Sequence, residues 1–261
     1  MMYIFDLERL YFVYLEYMKP NINKHGLSRY IPEDIKREIR KKSGFGCVIC
    51  GKGIYEYDHI NPEFNDAKTH DPNGITLLCG QCHSKKTRKF LSRETILEMM
   101  ANPVPFVTGF VNESMDIKLD ENLIIKIGAA IFTNCPIPIV FKGKEVLKIS
   151  KPSDGSTNIL LSGIFFDSIG NKSLIIENNE WKANTENWDI ITKGGELIIK
   201  NEFEPFLIME NDKRNILNIK FFKTEIGNMK FVMSDQGIFI NNSRIIKEFI
   251  AENCQIGMMI G

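Results

Sequence analysis

The sequence predicts an α+β protein, with a small helical segment on the N-terminal side and an all-β part, sandwich or layered sheet, after it. Three observations carry this expectation. Helical spacing and capping signals concentrate before residue 103. Two tight cysteine pairs, Cys47-Val48-Ile49-Cys50 and Cys79-Gly80-Gln81-Cys82, lie within that segment with 28 residues between them. From Phe106 onward the texture changes to short runs of branched and aromatic residues, separated by Asp-Gly, Gly-Asn, Gly-Gly and Asn-Asp turns.

At 261 residues the chain is long enough for two separate cores. Its 43% hydrophobic and 25% charged content is ordinary for a globular protein. The 33 basic and 33 acidic residues balance, so the whole chain has no polyanion-binding signature. Residues 24–100 carry 14 Lys and Arg against 10 Asp and Glu, which places any such surface in the cysteine segment. Neither a signal peptide nor an apolar run of transmembrane length is read in the sequence. A cytoplasmic location with no membrane partner is expected.

Taken in order, residues 3–18 repeat apolar side chains at helical spacing and end before Pro20. A docking helix is expected within residues 1–28. Pro32 then starts a helix over residues 33–42, with Glu33 and Asp34 at its positive end and Arg40, Lys41 and Lys42 at its negative end. The basic residues Lys36, Arg37, Arg40, Lys41 and Lys42 either face phosphates or form a solvated face. Each CxxC presents two thiolates to one tetrahedral Zn²⁺, so Cys47, Cys50, Cys79 and Cys82 form a structural zinc site. Cys135 and Cys254 are left over, far apart in sequence. Residues 54–60 and 75–78 read as strands around a polar excursion, residues 61–74. A helix is expected over residues 83–89. Ser92 caps another over residues 93–100, and Asn102-Pro103-Val104-Pro105 ends it.

A structural zinc does not account for Asp58-His59-Ile60, for Asp71-Pro72-Asn73, or for His83 beside Cys82. With the knuckles, Leu77-Leu78 and Ser84-Lys85-Lys86, these residues resemble the HNH endonuclease superfamily, in its four-cysteine zinc subgroup. The likeness runs from about residue 29 to about residue 102. It implies a ββα-metal fold over residues 29–104, DNA as the usual partner with RNA left open, and a catalytic divalent cation, Mg²⁺ or another. On that footing His59 is the general base, since imidazole accepts a proton near neutral pH. Asp58 and His83 are the cation's ligands, one hard oxygen and one imidazole. Asn73 orients the base or pins the loop, and in some relatives an asparagine near this position ligates the metal. Lys85, Lys86, Arg88 and Lys89 hold the DNA backbone. His25 and His70 sit in polar surroundings and read as surface residues. The alternative is a catalytically inactive zinc module that binds nucleic acid or protein.

Residues 105–261 read as an accessory part of about eight to ten strands, closed by a helix near residues 245–253. Self-association through it stays open. Trp181 and Trp188 flank a polar loop, and core packing is the commoner use of such residues, with base stacking the alternative.

Overall fold

The computed structural model describes residues 22–115, 124–150, 159–167, 170–202, 204–211 and 217–261. The helix expected over residues 3–18 lies outside them. Among the described residues no helix is long and apolar enough to cross a membrane.

The first helix among the described residues, α1, spans Glu33–Lys42, with Pro32 as its N-cap at φ −55°. The proline ring presets the backbone for the first turn. Ile39 is buried and packs with Ile31, Ile75 and Leu77. Two short strands follow, β1 at Glu56–His59 and β2 at Ile75–Leu78, paired antiparallel with His59 opposite Ile75. Then come α2 at Gly80–Thr87 and α3 at Arg93–Ala101. The helix α2 begins three residues earlier than expected. The Cys79 side chain caps it by accepting from the Cys82 N–H, so the second knuckle is the first turn of the helix. Ser92 caps α3 as expected, accepting from the Thr95 N–H at 3.1 Å.

The remaining described residues are all-β apart from a five-residue helix, Val104–Thr108. A seven-stranded sheet runs in space from Ile256–Ile260 through Ile137–Phe141 and Lys144–Ser150 to Glu180–Asn184 and Phe110–Ser114. A ten-stranded sheet runs from Asp189–Lys193 through Leu217–Ile226 to Ser243–Ile246, with three strands branching off the main path. The two sheets face each other across one apolar core. Phe141 stacks on Phe231 at 5.2 Å, and Phe165 meets Phe222 edge-on at 5.3 Å. These sheets hold more strands than the turn spacing suggests. Several turns are only two residues long, such as Asn178-Asn179 and Asn241-Asn242, both with positive φ. Asparagine tolerates that left-handed backbone better than other side chains.

The closing helix is not there. Ser243–Ile246 pairs antiparallel with Gly237–Ile240, and Phe249–Glu252 pairs parallel with Ala130–Thr133. A helix of some nine residues has little stability alone, and neighbouring strands offer more backbone partners. The same returns bring Cys135 and Cys254 together, their sulfur atoms 2.6 Å apart.

The helical segment docks on the β part through charged and aromatic groups. Arg40 forks onto Asp189, Nε to Oδ1 at 2.9 Å and Nη2 to Oδ2 at 2.7 Å, and donates to the Tyr57 hydroxyl at 2.8 Å. Arg37 lies 3.4 Å above the Trp188 ring. Trp181 is buried in the core, and Gly53 packs so close that an added Cβ would lie 2.2 Å from the indole. Trp181 thus serves the core, and Arg37 covers one face of the half-buried Trp188. Of the five basic residues of α1 weighed for phosphate binding, Arg37 and Arg40 turn inward to the β part.

Candidate active site

The four cysteines gather as the spacing predicts. Their sulfur atoms all lie within 4.8 Å of one another. The Gly51 N–H donates to the Cys47 carbonyl at 2.8 Å and closes the first knuckle, with Gly51 at φ +75°. Only glycine adopts that conformation at little cost. Cys47, Cys79 and Cys82 are buried, and Cys50 is exposed. The set fits zinc in two ways. Bonds of ~2.3 Å in a tetrahedron hold sulfurs about 3.8 Å apart, and Cys50 lies 3.6 Å from Cys79 and 3.8 Å from Cys82. Cys50 and Cys82 also resist ionisation when left alone. The Cys47 hydrogen bond, then burial, push Cys50 up, while burial pushes Cys82 up to about 12. A dication among them would reverse that preference.

The cluster fixes the start of α2, and α2 carries His83 and Lys86 toward β1. His83 Nε2 lies 3.7 Å from Asp58 Oδ2, and His83 Nδ1 lies 3.7 Å from Glu56 Oε2. Bonds of ~2.1 Å from one cation can bridge the first of these separations. Lys86 holds the carboxylate, with Nζ at 2.8 and 2.9 Å from the two Asp58 oxygens. Lys86 therefore does not point outward at a phosphate. Lys85, Arg88 and Lys89 are exposed.

Adjacent strand residues face opposite sides. Asp58 turns toward α2, while His59, at the end of β1, turns under the 61–74 loop. His59 is 8% exposed and meets Phe64 edge-on at 5.3 Å. Its Nε2 lies 3.1 Å from Nδ1 of His70. Burial, then the nearby His70, push the His59 ring down to about 4, so it is neutral at pH 7. His70 is buried too, contrary to its reading as a surface residue. Nothing local marks it. Only the return of the loop to β2 brings it over His59.

Asp58, His59, Lys86 and Lys89 line one cleft of about 580 Å³, together with Arg29 and Arg93. Neither arginine stands in a motif that would single it out in the sequence. Asn73 stands apart from this group. Its Nδ2 donates to Asp71 Oδ1 at 3.0 Å, and its Oδ1 accepts from Lys42 Nζ at 2.6 Å. Its described hydrogen bonds hold the loop and reach neither His59 nor the Asp58–His83 pair.

The family model described as HNH endonuclease matches residues 47–89. No curated protein and no solved structure matches the chain. The match begins at the first zinc-knuckle cysteine and ends at Lys89, just beyond α2, so it encloses both knuckles, Asp58, His59 and His83. Residues 47–89 thus match the HNH endonuclease family model, and the four cysteines within them cluster as a candidate zinc site, consistent with the four-cysteine subgroup.

Proposed function

We propose that the protein is a metal-dependent endonuclease that hydrolyses DNA phosphodiester bonds, with the nuclease unit over residues 29–104 and an accessory β-rich unit over residues 105–261. The observation that carries this reading is the approach of His83 to Asp58, 3.7 Å apart, beside a cleft that holds a neutral His59. Cys47, Cys50, Cys79 and Cys82 hold a structural zinc. Asp58 and His83 hold a catalytic divalent cation, which when bound supplies positive charge to the phosphate and the leaving oxygen.

His59 takes a proton from the attacking water, whose oxygen bonds to phosphorus as the bond to the 3′ oxygen breaks. Asn73 keeps the loop over His59 in place. Lys86 pairs with the Asp58 carboxylate; were a cation held there, the ammonium beside it would be available to a phosphate oxygen. Lys85, Arg88 and Lys89 extend that basic face along the duplex.

The test is supercoiled plasmid incubated with zinc-loaded protein and Mg²⁺, Mn²⁺ or Ni²⁺, with EDTA as the control. Nicking that needs the added cation is expected. No cleavage with any cation would favour the inactive zinc module. Within the active protein, Asp58→Asn should raise the cation concentration needed for half-maximal rate by at least ~10-fold, since even outer-shell changes cost that much. An unchanged cation requirement would remove Asp58 from the ligand set.

Replacing Lys85, Arg88 and Lys89 together by alanine should weaken duplex binding in EDTA. The slope of log affinity against log salt should flatten by about 0.9 for each phosphate that is no longer neutralised. An unmoved slope would mean that these side chains only solvate the helix.

A further inference from the structure

One buried side chain beside the proposed base has no part in that scheme. His70 is 8% exposed, and its Nδ1 lies 3.1 Å from His59 Nε2. Its other ring nitrogen is buried, with no hydrogen-bond partner among the described residues. Such an unpartnered polar atom costs about 1–3 kcal/mol. An apolar side chain of similar size would fill the space without that penalty. The imidazole is offset only through Nδ1, whose described hydrogen bond goes to His59.

We propose that His70 is a positioning residue for His59. Its Nδ1 accepts a hydrogen bond from the His59 Nε2–H, which leaves the lone pair of His59 Nδ1 bare for a water in the cleft. The inference rests on the reading of His59 as the base. Either ring could supply the proton between them, and the two arrangements differ in consequence. Were His70 the donor, His59 would carry its proton on Nδ1 and could not accept another there. Nor could the hydrogen bond survive proton transfer, because two N–H groups would then point at each other. With His70 as acceptor, one geometry serves both the neutral and the protonated ring. The water's proton goes to His59 Nδ1, the Nε2–H stays bonded to His70, and no proton passes to His70. Phe64, edge-on to His59 at 5.3 Å, restricts the ring from its other side.

The direct test is ¹⁵N spectroscopy of the histidine rings in zinc-loaded protein at pH 7, free of other cations. The chain has four histidines, so the ring signals are few. His59 is expected in a single tautomer, protonated at Nε2 and bare at Nδ1. His70→Phe should abolish that fixed tautomer. In plasmid cleavage the same variant should lower kcat by about 10–10²-fold, with KM for duplex DNA within about 2-fold of wild type, because a misoriented base loses rate rather than binding. His70→Asn places Oδ1 where Nδ1 stood and should recover most of kcat. A proton on His59 Nδ1 in the wild type, or wild-type kcat in His70→Phe, would overturn the assignment. The wild-type spectrum depends on no variant's folding. A wild type with the expected tautomer that cleaves nothing would overturn the nuclease reading and leave the hydrogen bond standing.

Discussion

Cys79→Ser should release zinc and loosen the helical segment, the largest effect expected of any single substitution. Cys47, Cys79 and Cys82 are themselves part of the small core there, with Val48, Ile60, Leu78 and Ile96. The other apolar side chains packed on it, Ile49, Leu91, Leu97, Met99 and Met100, are only partly buried, so metal binding should supply much of its folding free energy. For structural zinc in small domains that is about 10–16 kcal/mol. Cys79 also caps α2, which carries His83 and Lys86. Serine can still cap the helix, but losing the zinc should separate His83 from Asp58 and abolish cleavage. The face-to-face sheets have their own core and should keep their strand signature in circular dichroism. Metal analysis and hydrogen exchange check this. Zinc at the wild-type level, or undisturbed protection of α2, would show that the cysteines do not hold the segment together.

Asp189→Ala should destabilise the protein by about 3–5 kcal/mol, because it strands a buried guanidinium without its counter-charge. The side chains of Arg40 and Asp189 are only 4% and 1% exposed, so solvent cannot substitute for the missing partner. For a chain of this size the melting temperature should fall by roughly 6–20 °C. Replacing both residues by apolar ones, Arg40→Met with Asp189→Leu, should cost far less, since the desolvation of both charges is then removed as well. The double-mutant cycle in thermal melts measures the difference. A single variant that melts like the wild type would mean that the pair does not secure the helical segment to the β part.

What is legible in the sequence is what short-range chemistry encodes. The knuckles are readable because two intervening residues suffice to aim two thiols at one point. The bounds of α1 follow from Pro32 and the charges at its ends, and the start of α3 from Ser92. The strand character of the second part is plain in its branched and aromatic runs. Other features depend on distant chain segments and leave no local trace. Arg40 belongs by spacing to a basic helix face, yet its partner is 149 residues away. Cys135 and Cys254 meet only because two parallel strand pairings return the chain end to the sheets. The apolar spacing of residues 245–253 suits a helix, but sheet neighbours claim those backbones. His70 hides in a polar loop whose fold over β1 no pattern announces.

The central claim is that His59 is the base of a metal-dependent nuclease, and it is tested most directly by the plasmid nicking rate of His59→Asn against wild type. Both proteins should be zinc-loaded and saturated with Mg²⁺ or Mn²⁺. Asparagine occupies most of the buried space, which alanine would leave as a cavity, and it cannot take a proton from water. The rate should fall by about 10²-fold or more, with zinc content and duplex affinity near those of the wild type. Nicking at the wild-type rate would contradict the assignment.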